Sequence, residues 1–173
     1  MSLAGLLIAL GTTIPMFSPL KVIIEPASFT LGSHVAIFLA MFISPPVAVA
    51  VALGTTIGFF ISGFPFIVVM RAGTHIIFAF LGSWYVTRRR NAGLSPVQLR
   101  IFSFTVALIH ALSEIAVVSI FYFGGNSDMV FNASEFVTAV LLLVGIGTLI
   151  HSLVDFEITL LLLKPLRKLR LID

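Results

Sequence analysis

Apolar residues gather into long runs broken by prolines, glycines and clustered charge, a pattern that predicts membrane-crossing helices rather than the alternating segments of a sheet. The runs fall at 3–18, 30–44, 46–61, 66–87, 97–123 and 133–163. One helix for each gives six crossings, an all-α polytopic membrane protein in a single domain. A spanning helix takes roughly 20 residues, and only the fourth and fifth runs fit that comfortably. The second and third are short, and the Ser44-Pro45-Pro46 between them suits either a break or a bend in one long segment, so six is preferred over five on the helix-breaking power of two prolines.

Composition places the chain in lipid. It has 59% apolar and only 10% charged residues, with a mean hydropathy of +1.17, against about 25% charge in an ordinary soluble domain. The absence of cysteine removes disulfides, thiol nucleophiles and Cys-ligated metals together. Basic residues orient the bundle. With both termini cytoplasmic, Arg88, Arg89, Arg90 and Arg100 share the inner side with Lys164, Arg167, Lys168 and Arg170, while the outer loops receive only Lys21. These short runs lie beside apolar segments without interleaved aromatics, which suits contact with anionic lipid and not with nucleic acid.

Small residues recur every four positions in the first three runs: Gly5, Ala9 and Thr13; Gly32, Ala36, Ala40 and Ser44; Ala50, Gly54, Gly58 and Ser62. Each set lines one helical face and lets two backbones approach, either inside the bundle or against a partner membrane protein. Gly5, Ala9, Thr13, Ala36, Ala40, Gly54 and Gly58 are the candidate docking residues.

Ionisable residues inside the spans are costly unless they face a partner or a cavity. They come in pairs four apart, Arg71 with His75, His110 with Glu114 and His151 with Asp155, and His34 adds a fourth helix. Two readings stay open for Arg71, His75, His110 and Glu114: internal struts such as an Arg71–Glu114 pair, or a polar ligand pocket in which His34 is a fifth substrate-binding candidate. On depth, these four converge toward the outer face. His151 and Asp155 fall toward the inner half, with Asp155 and Glu157 expected to pair with inner Arg or Lys groups. Arg71→Ala is accordingly expected to weaken ligand binding and spare the fold. The first outer loop, with Lys21, Glu25 and the apolar run between them, is a candidate lid, and Phe64, Phe66, Tyr122 and Asn126 are candidate rim residues. No nucleophile elbow, P-loop or H-E-x-x-H spacing is present. No catalytic residue and no metal ligand are assigned.

The run from Pro26 through Gly32-Ser33-His34 to Ser44-Pro45 resembles the corresponding stretch of the substrate-binding membrane subunits, or S components, of energy-coupling factor (ECF) vitamin transporters. So do Gly54-Thr55-Thr56-Ile57-Gly58-Phe59-Phe60, Gly63-Phe64-Pro65 and Ala107-Leu108-Ile109-His110-Ala111-Leu112-Ser113-Glu114. The resemblance implies an ECF S-component-like bundle of six helices in the bacterial cytoplasmic membrane. It also implies a small vitamin ligand captured from outside beneath the loops after the first and third helices. The implied partners are a transmembrane coupling subunit and two cytoplasmic ABC-type ATPases that hold the ATP and Mg, this chain carrying no cofactor. Small residues of the first helix would meet the coupling subunit, Gly5 standing where the family pattern has alanine. A hydroxymethylpyrimidine- or pyridoxine-like ring, niacin and pantothenate remain open as ligands, Arg71 favouring a carboxylate unless Glu114 neutralises it. Ion- or proton-coupled transport and a purely structural membrane subunit are the alternatives.

Overall fold

The computed structural model describes residues 3–24, 26–89, 93–124 and 132–169. Within them the apolar runs become six helices and one hairpin. Helix α1 (Leu3–Phe17) leads into antiparallel strands β1 (Lys21–Ile24) and β2 (Ala27–Thr30), followed by α2 (Val35–Met41), α3 (Pro45–Ile61), α4 (Phe66–Arg89) and α5 (Pro96–Gly124). Helix α6 (Ala133–Lys168) is continuous over 36 residues. It begins as an α turn at Ala133–Phe136, widens into a π-helix over Val137–Ile146 and resumes as α-helix from Gly147.

Helices α4, α5 and α6 are long and apolar enough to cross a bilayer, and α1 and α3 are shorter apolar helices. The prolines divide the second and third runs: Ser44 is extended, with φ −170°, and Pro45 and Pro46 open α3, where a missing N–H costs nothing. The second run departs from expectation. A helix over 30–44 was predicted, but Thr30 closes the hairpin, Gly32 turns the chain at φ 83°, and α2 has only 7 residues, about 10 Å of rise. Turning backbone at such depth is tolerated only where protein surrounds it. Each α2 residue is accordingly buried, from Val35 at 7% exposure to Ala40 and Met41 at 0%, between α1, α3, α4 and α6.

Aromatic packing fills the centre below α2, where Phe38 meets Phe78 and Phe156 with ring centroids 5.6 and 5.4 Å apart. The outward surface is apolar too, with Leu53, Ile57, Phe60, Ile101, Phe104, Ile120 and Leu161 exposed. An exposed apolar band of this extent is what a lipid-facing surface requires. At one end of the bundle Arg88 covers the Trp84 ring at 4.2 Å, Arg167 lies over Phe42, and Arg100 pairs with Glu157.

The small-residue ladders divide. Ala36 and Ala40 are buried in α2, and Gly54 and Gly58 face α1, where a Cβ at Gly54 would fall 2.5 Å from Ile8 Cδ1 and one at Gly58 would overlap Thr12. These four are therefore corrected from docking residues to internal contacts, because α2 is enclosed by its neighbours and because Ile8 and Thr12 of α1 press on the α3 backbone at the two glycines. Gly5 is half-buried, while Ala9 and Thr13 remain exposed along the other face of α1. Gly58→Val is expected to wedge α1 from α3 and to cost about 1–3 kcal/mol, read as a lowered Tm of the purified chain in detergent. An unchanged Tm would show that α1 is not held through this contact.

Candidate functional site

At the end of the bundle opposite the Arg88–Arg89 pair, the β1–β2 hairpin roofs a cavity of about 520 Å³, within the range of small-molecule sites. Lys21 and Phe29 of the hairpin, Thr55 and Phe59 of α3, and Phe64 of the following loop line its walls, and Arg71, His75, Glu114 and His151 reach into it. Phe59 and Phe64 stack with centroids 4.5 Å apart and planes 18° from parallel. The walls are chiefly apolar, with the polar groups concentrated toward the centre of the bundle.

Two carboxylates organise those polar groups. Glu114 Oε2 accepts from Arg71 Nη2 at 2.8 Å and from Thr148 Oγ1 at 2.6 Å. Its Oε1 lies 3.4 Å from His110 Nε2 and 3.6 Å from His75 Nε2. Arg71 Nη1 also donates to the Pro26 carbonyl at 3.2 Å, tying α4 to the hairpin turn. Asp155, fully buried, accepts from the backbone N–H of Gly32 at 2.7 Å and of His34 at 2.9 Å, and from His34 Nδ1 at 3.0 Å. His151 joins this group through Ser33 Oγ at 3.1 Å.

His34 stands between the two carboxylates. Its ring centroid lies 4.8 Å from His75, 4.6 Å from His110 and 5.0 Å from His151. One ring nitrogen from each of His34, His75 and His110 lies within 4.8 Å of the other two, an arrangement able to hold a metal ion. Buried polar atoms without a hydrogen-bond partner among the described residues concentrate here: Thr55 Oγ1, Arg71 Nε, His75 Nε2 and both ring nitrogens of His110. Orphaned buried donors and acceptors are expensive. A polar occupant of the cavity removes part of that cost.

The sequence-predicted residues thus divide. His34, Arg71, His75 and Glu114 come together on the cavity, and His110 lies beneath it at 0% exposure. Lys21 and Phe64 line it. Phe66 and Tyr122 do not line it: Phe66 is 60% exposed beside Phe121, and Tyr122 donates to the Asn132 carbonyl at 3.2 Å and packs on Phe136. Glu25 and Asn126 fall outside the described residues. His151 and Asp155 are also corrected, from a separate inner group to part of the cluster: among the described residues Asp155 meets no inner cation, whereas Glu157 pairs with Arg100. Thr148 is level with Glu114, so the first turns of α6 run beyond the end of α5, and wider π turns shorten the rise over Val137–Ile146. Counting residues down a uniform helix placed His151 too deep. Phe29, Thr55, Phe59 and Thr148 carry no charge, and although the first three lie in stretches that carry the family resemblance, nothing in their local pattern points them at a cavity.

Together these features define a membrane-embedded binding protein for a small molecule, with its ligand cavity at one membrane face. Along 158 residues, 91% of this chain and 70% of the other, the sequence is 39% identical to the niacin transporter NiaX of Lactococcus lactis subsp. cremoris (strain MG1363). The chain belongs to the S components of ECF vitamin transporters, multi-pass proteins of the cell membrane. No family model matches it, and no solved structure does.

The Arg71–Glu114 pair changes one expectation. With Arg71 engaged by Glu114, Arg71→Ala leaves an uncompensated buried carboxylate instead of sparing the fold. Breaking a buried pair in this way costs about 3–5 kcal/mol. Thermal unfolding in detergent should show a large fall in Tm for Arg71→Ala and partial recovery in Arg71→Ala/Glu114→Gln. A single variant as stable as the parent would mean that the pair carries no structural weight.

Proposed function

We propose that this chain is the ligand-capturing subunit of an ATP-driven uptake system for niacin, with the pyridine ring bound in the cavity under the β1–β2 hairpin. The carrying observation is the match between the cavity's chemistry and a pyridine carboxylate. Phe29, Phe59 and Phe64 offer ring faces, and aromatic pairs of this kind prefer offset or edge-on contact. Arg71 Nε and Thr55 Oγ1 are buried donors without partners among the described residues, on walls of the same cavity. In this reading a carboxylate or carboxamide oxygen of the ligand accepts from the Arg71 guanidinium. Glu114 and the Pro26 carbonyl take the two Nη groups of Arg71 and leave its buried Nε without a hydrogen-bond partner among the described residues, so in this reading the guanidinium keeps a preference for an acid. The relative's niacin specificity favours this ligand over the hydroxymethylpyrimidine- or pyridoxine-like rings and over pantothenate.

The purified chain, titrated calorimetrically with nicotinic acid, nicotinamide, pyridoxine and pantothenate, is expected to bind a niacin form with sub-micromolar Kd and the others far more weakly. A folded sample that binds neither niacin form would overturn the reading.

Accumulating a ligand against its gradient needs an energy source, and the sequence has no P-loop. The proposed partners are a transmembrane coupling subunit and two cytoplasmic ABC-type ATPases holding ATP and Mg. The exposed Ala9–Thr13 face of α1, with Leu6 and Leu10 beside it, is the docking surface proposed for the coupling subunit. Both termini lie in the cytoplasm in this reading, which puts the Arg88, Arg89, Arg100, Lys164 and Arg167 end inside and the cavity outside. The natural absence of cysteine makes the orientation directly readable. In intact cells, Leu20→Cys should react with a membrane-impermeant maleimide and Val97→Cys should react only after permeabilisation. The reverse pattern would invert the topology.

A further inference from the structure

His34, His75 and His110 come from three separate stretches of chain, the start of α2, α4 and α5, and meet as three imidazoles with near-perpendicular planes, 68–88° apart. Their available nitrogens lie within 4.8 Å of one another. A tetrahedral zinc site with bonds of 2.0–2.1 Å needs them about 3.3 Å apart, a shift of under about 1 Å for each ring. The surroundings already have the form of a metal site's outer layer. Asp155 accepts from His34 Nδ1 at 3.0 Å, which fixes the tautomer and leaves the lone pair on Nε2. His110, at 0% exposure, has no hydrogen-bond partner on Nδ1 among the described residues, and its Nε2 and that of His75 make no hydrogen bond but face Glu114 Oε1 at 3.4 and 3.6 Å. Buried imidazole nitrogens that make no hydrogen bond, with a carboxylate beside them, are a place where a cation is favoured.

Charge points the same way. Apart from its imidazoles, the buried charged side chains of the cluster are Arg71, Glu114 and Asp155, one basic group against two carboxylates; Lys21 stands part-exposed at the hairpin and outside this count. An anionic ligand added to that net negative charge is opposed at low dielectric. A divalent cation on the histidines reverses the sign, and a monocarboxylate then brings the cluster to neutrality.

We propose that His34, His75 and His110 bind one divalent transition-metal ion of the zinc class, whose fourth position opens to the cavity and receives the carboxylate or ring nitrogen of the ligand. Three imidazoles and one open position are a recurrent zinc arrangement, and imidazole ligands suit Zn, Co, Ni and Cu. The ligand half of this proposal rests on the niacin reading above; the metal half does not.

The test uses the full chain in detergent, without a polyhistidine tag, stripped with EDTA and dialysed. Titration with Zn²⁺ is expected to reach one equivalent, and Co²⁺ to develop the intense visible bands of a tetrahedral centre. His110→Phe, which keeps ring volume beside Phe78, should lose both signals, and Asp155→Asn should weaken zinc binding by about 10–100-fold. Parent protein that takes up neither ion overturns the site, whatever the variants do. For the ligand half, stripped protein should bind nicotinic acid about tenfold or more weakly, with recovery on adding Zn²⁺. Nicotinic acid bound equally well with and without metal would overturn that half and leave the niacin reading standing. Zinc bound with no affinity for any pyridine carboxylate would leave the metal site standing and sink the niacin reading.

Discussion

The Asp155 carboxylate fixes the point at which the chain stops being a hairpin and becomes α2. Its two oxygens accept the N–H groups of Gly32 and His34 and the imidazole of His34, in a place with no exposure to solvent. Without it, a turn of backbone between β2 and a 7-residue helix would carry bare donors into the middle of a membrane protein, where each costs several kcal/mol. The consequence reaches in two directions. Downward it lets a helix too short to span the bilayer seat its whole surface in the core. Upward it holds His34 against His75, His110 and His151, and so defines the floor beneath the cavity.

The second buried carboxylate, Glu114, does for the helices what Asp155 does for the loop. It ties α5 to α4 through Arg71 and to α6 through Thr148, and Arg71 extends the chain of contacts to the Pro26 carbonyl in the hairpin. Hairpin, α4, α5 and α6 are thus joined through two side chains. A two-stranded hairpin is at best marginally stable alone. This one gains its position from Arg71 at the turn and from Phe29, which lies 5.5 Å from the His151 ring and in the space that a side chain at Gly147 would fill.

What was legible in the sequence follows from which forces act locally. Long apolar runs and clustered arginines report on the bilayer directly, so α1, α3, α4, α5 and α6 lie close to their predicted limits. The i,i+4 pairing of His110 with Glu114 and of His151 with Asp155 was equally plain. The second run hid its break because Thr30 to His34 is no more polar than many helical stretches, and the reason it is not helical is a carboxylate more than a hundred residues later. Register between helices was hidden for a similar cause. Only the overhang of α6 and its π turns bring His151 level with His34, and no periodicity in the sequence announces either. Small residues told that backbones approach without telling which ones, so Gly54 and Gly58 read the same as Ala9 although the first two are spent on α1.

The fold also separates its two chemistries along the membrane normal. Exposed arginines and lysines, with Trp84 and Phe42 beneath two of them, collect at one end, where charge is cheap and contributes mainly orientation. At the other end the charges are few, buried and matched through oriented hydrogen bonds, and there each one weighs on stability and on ligand preference. A binding protein in lipid has little freedom to add polar groups around its ligand, since every unused one is penalised. The nitrogens of His75, His110 and Arg71 that make no hydrogen bond among the described residues are therefore informative by position. They lie in or directly beneath the cavity wall, where leaving polar atoms unsatisfied is most costly.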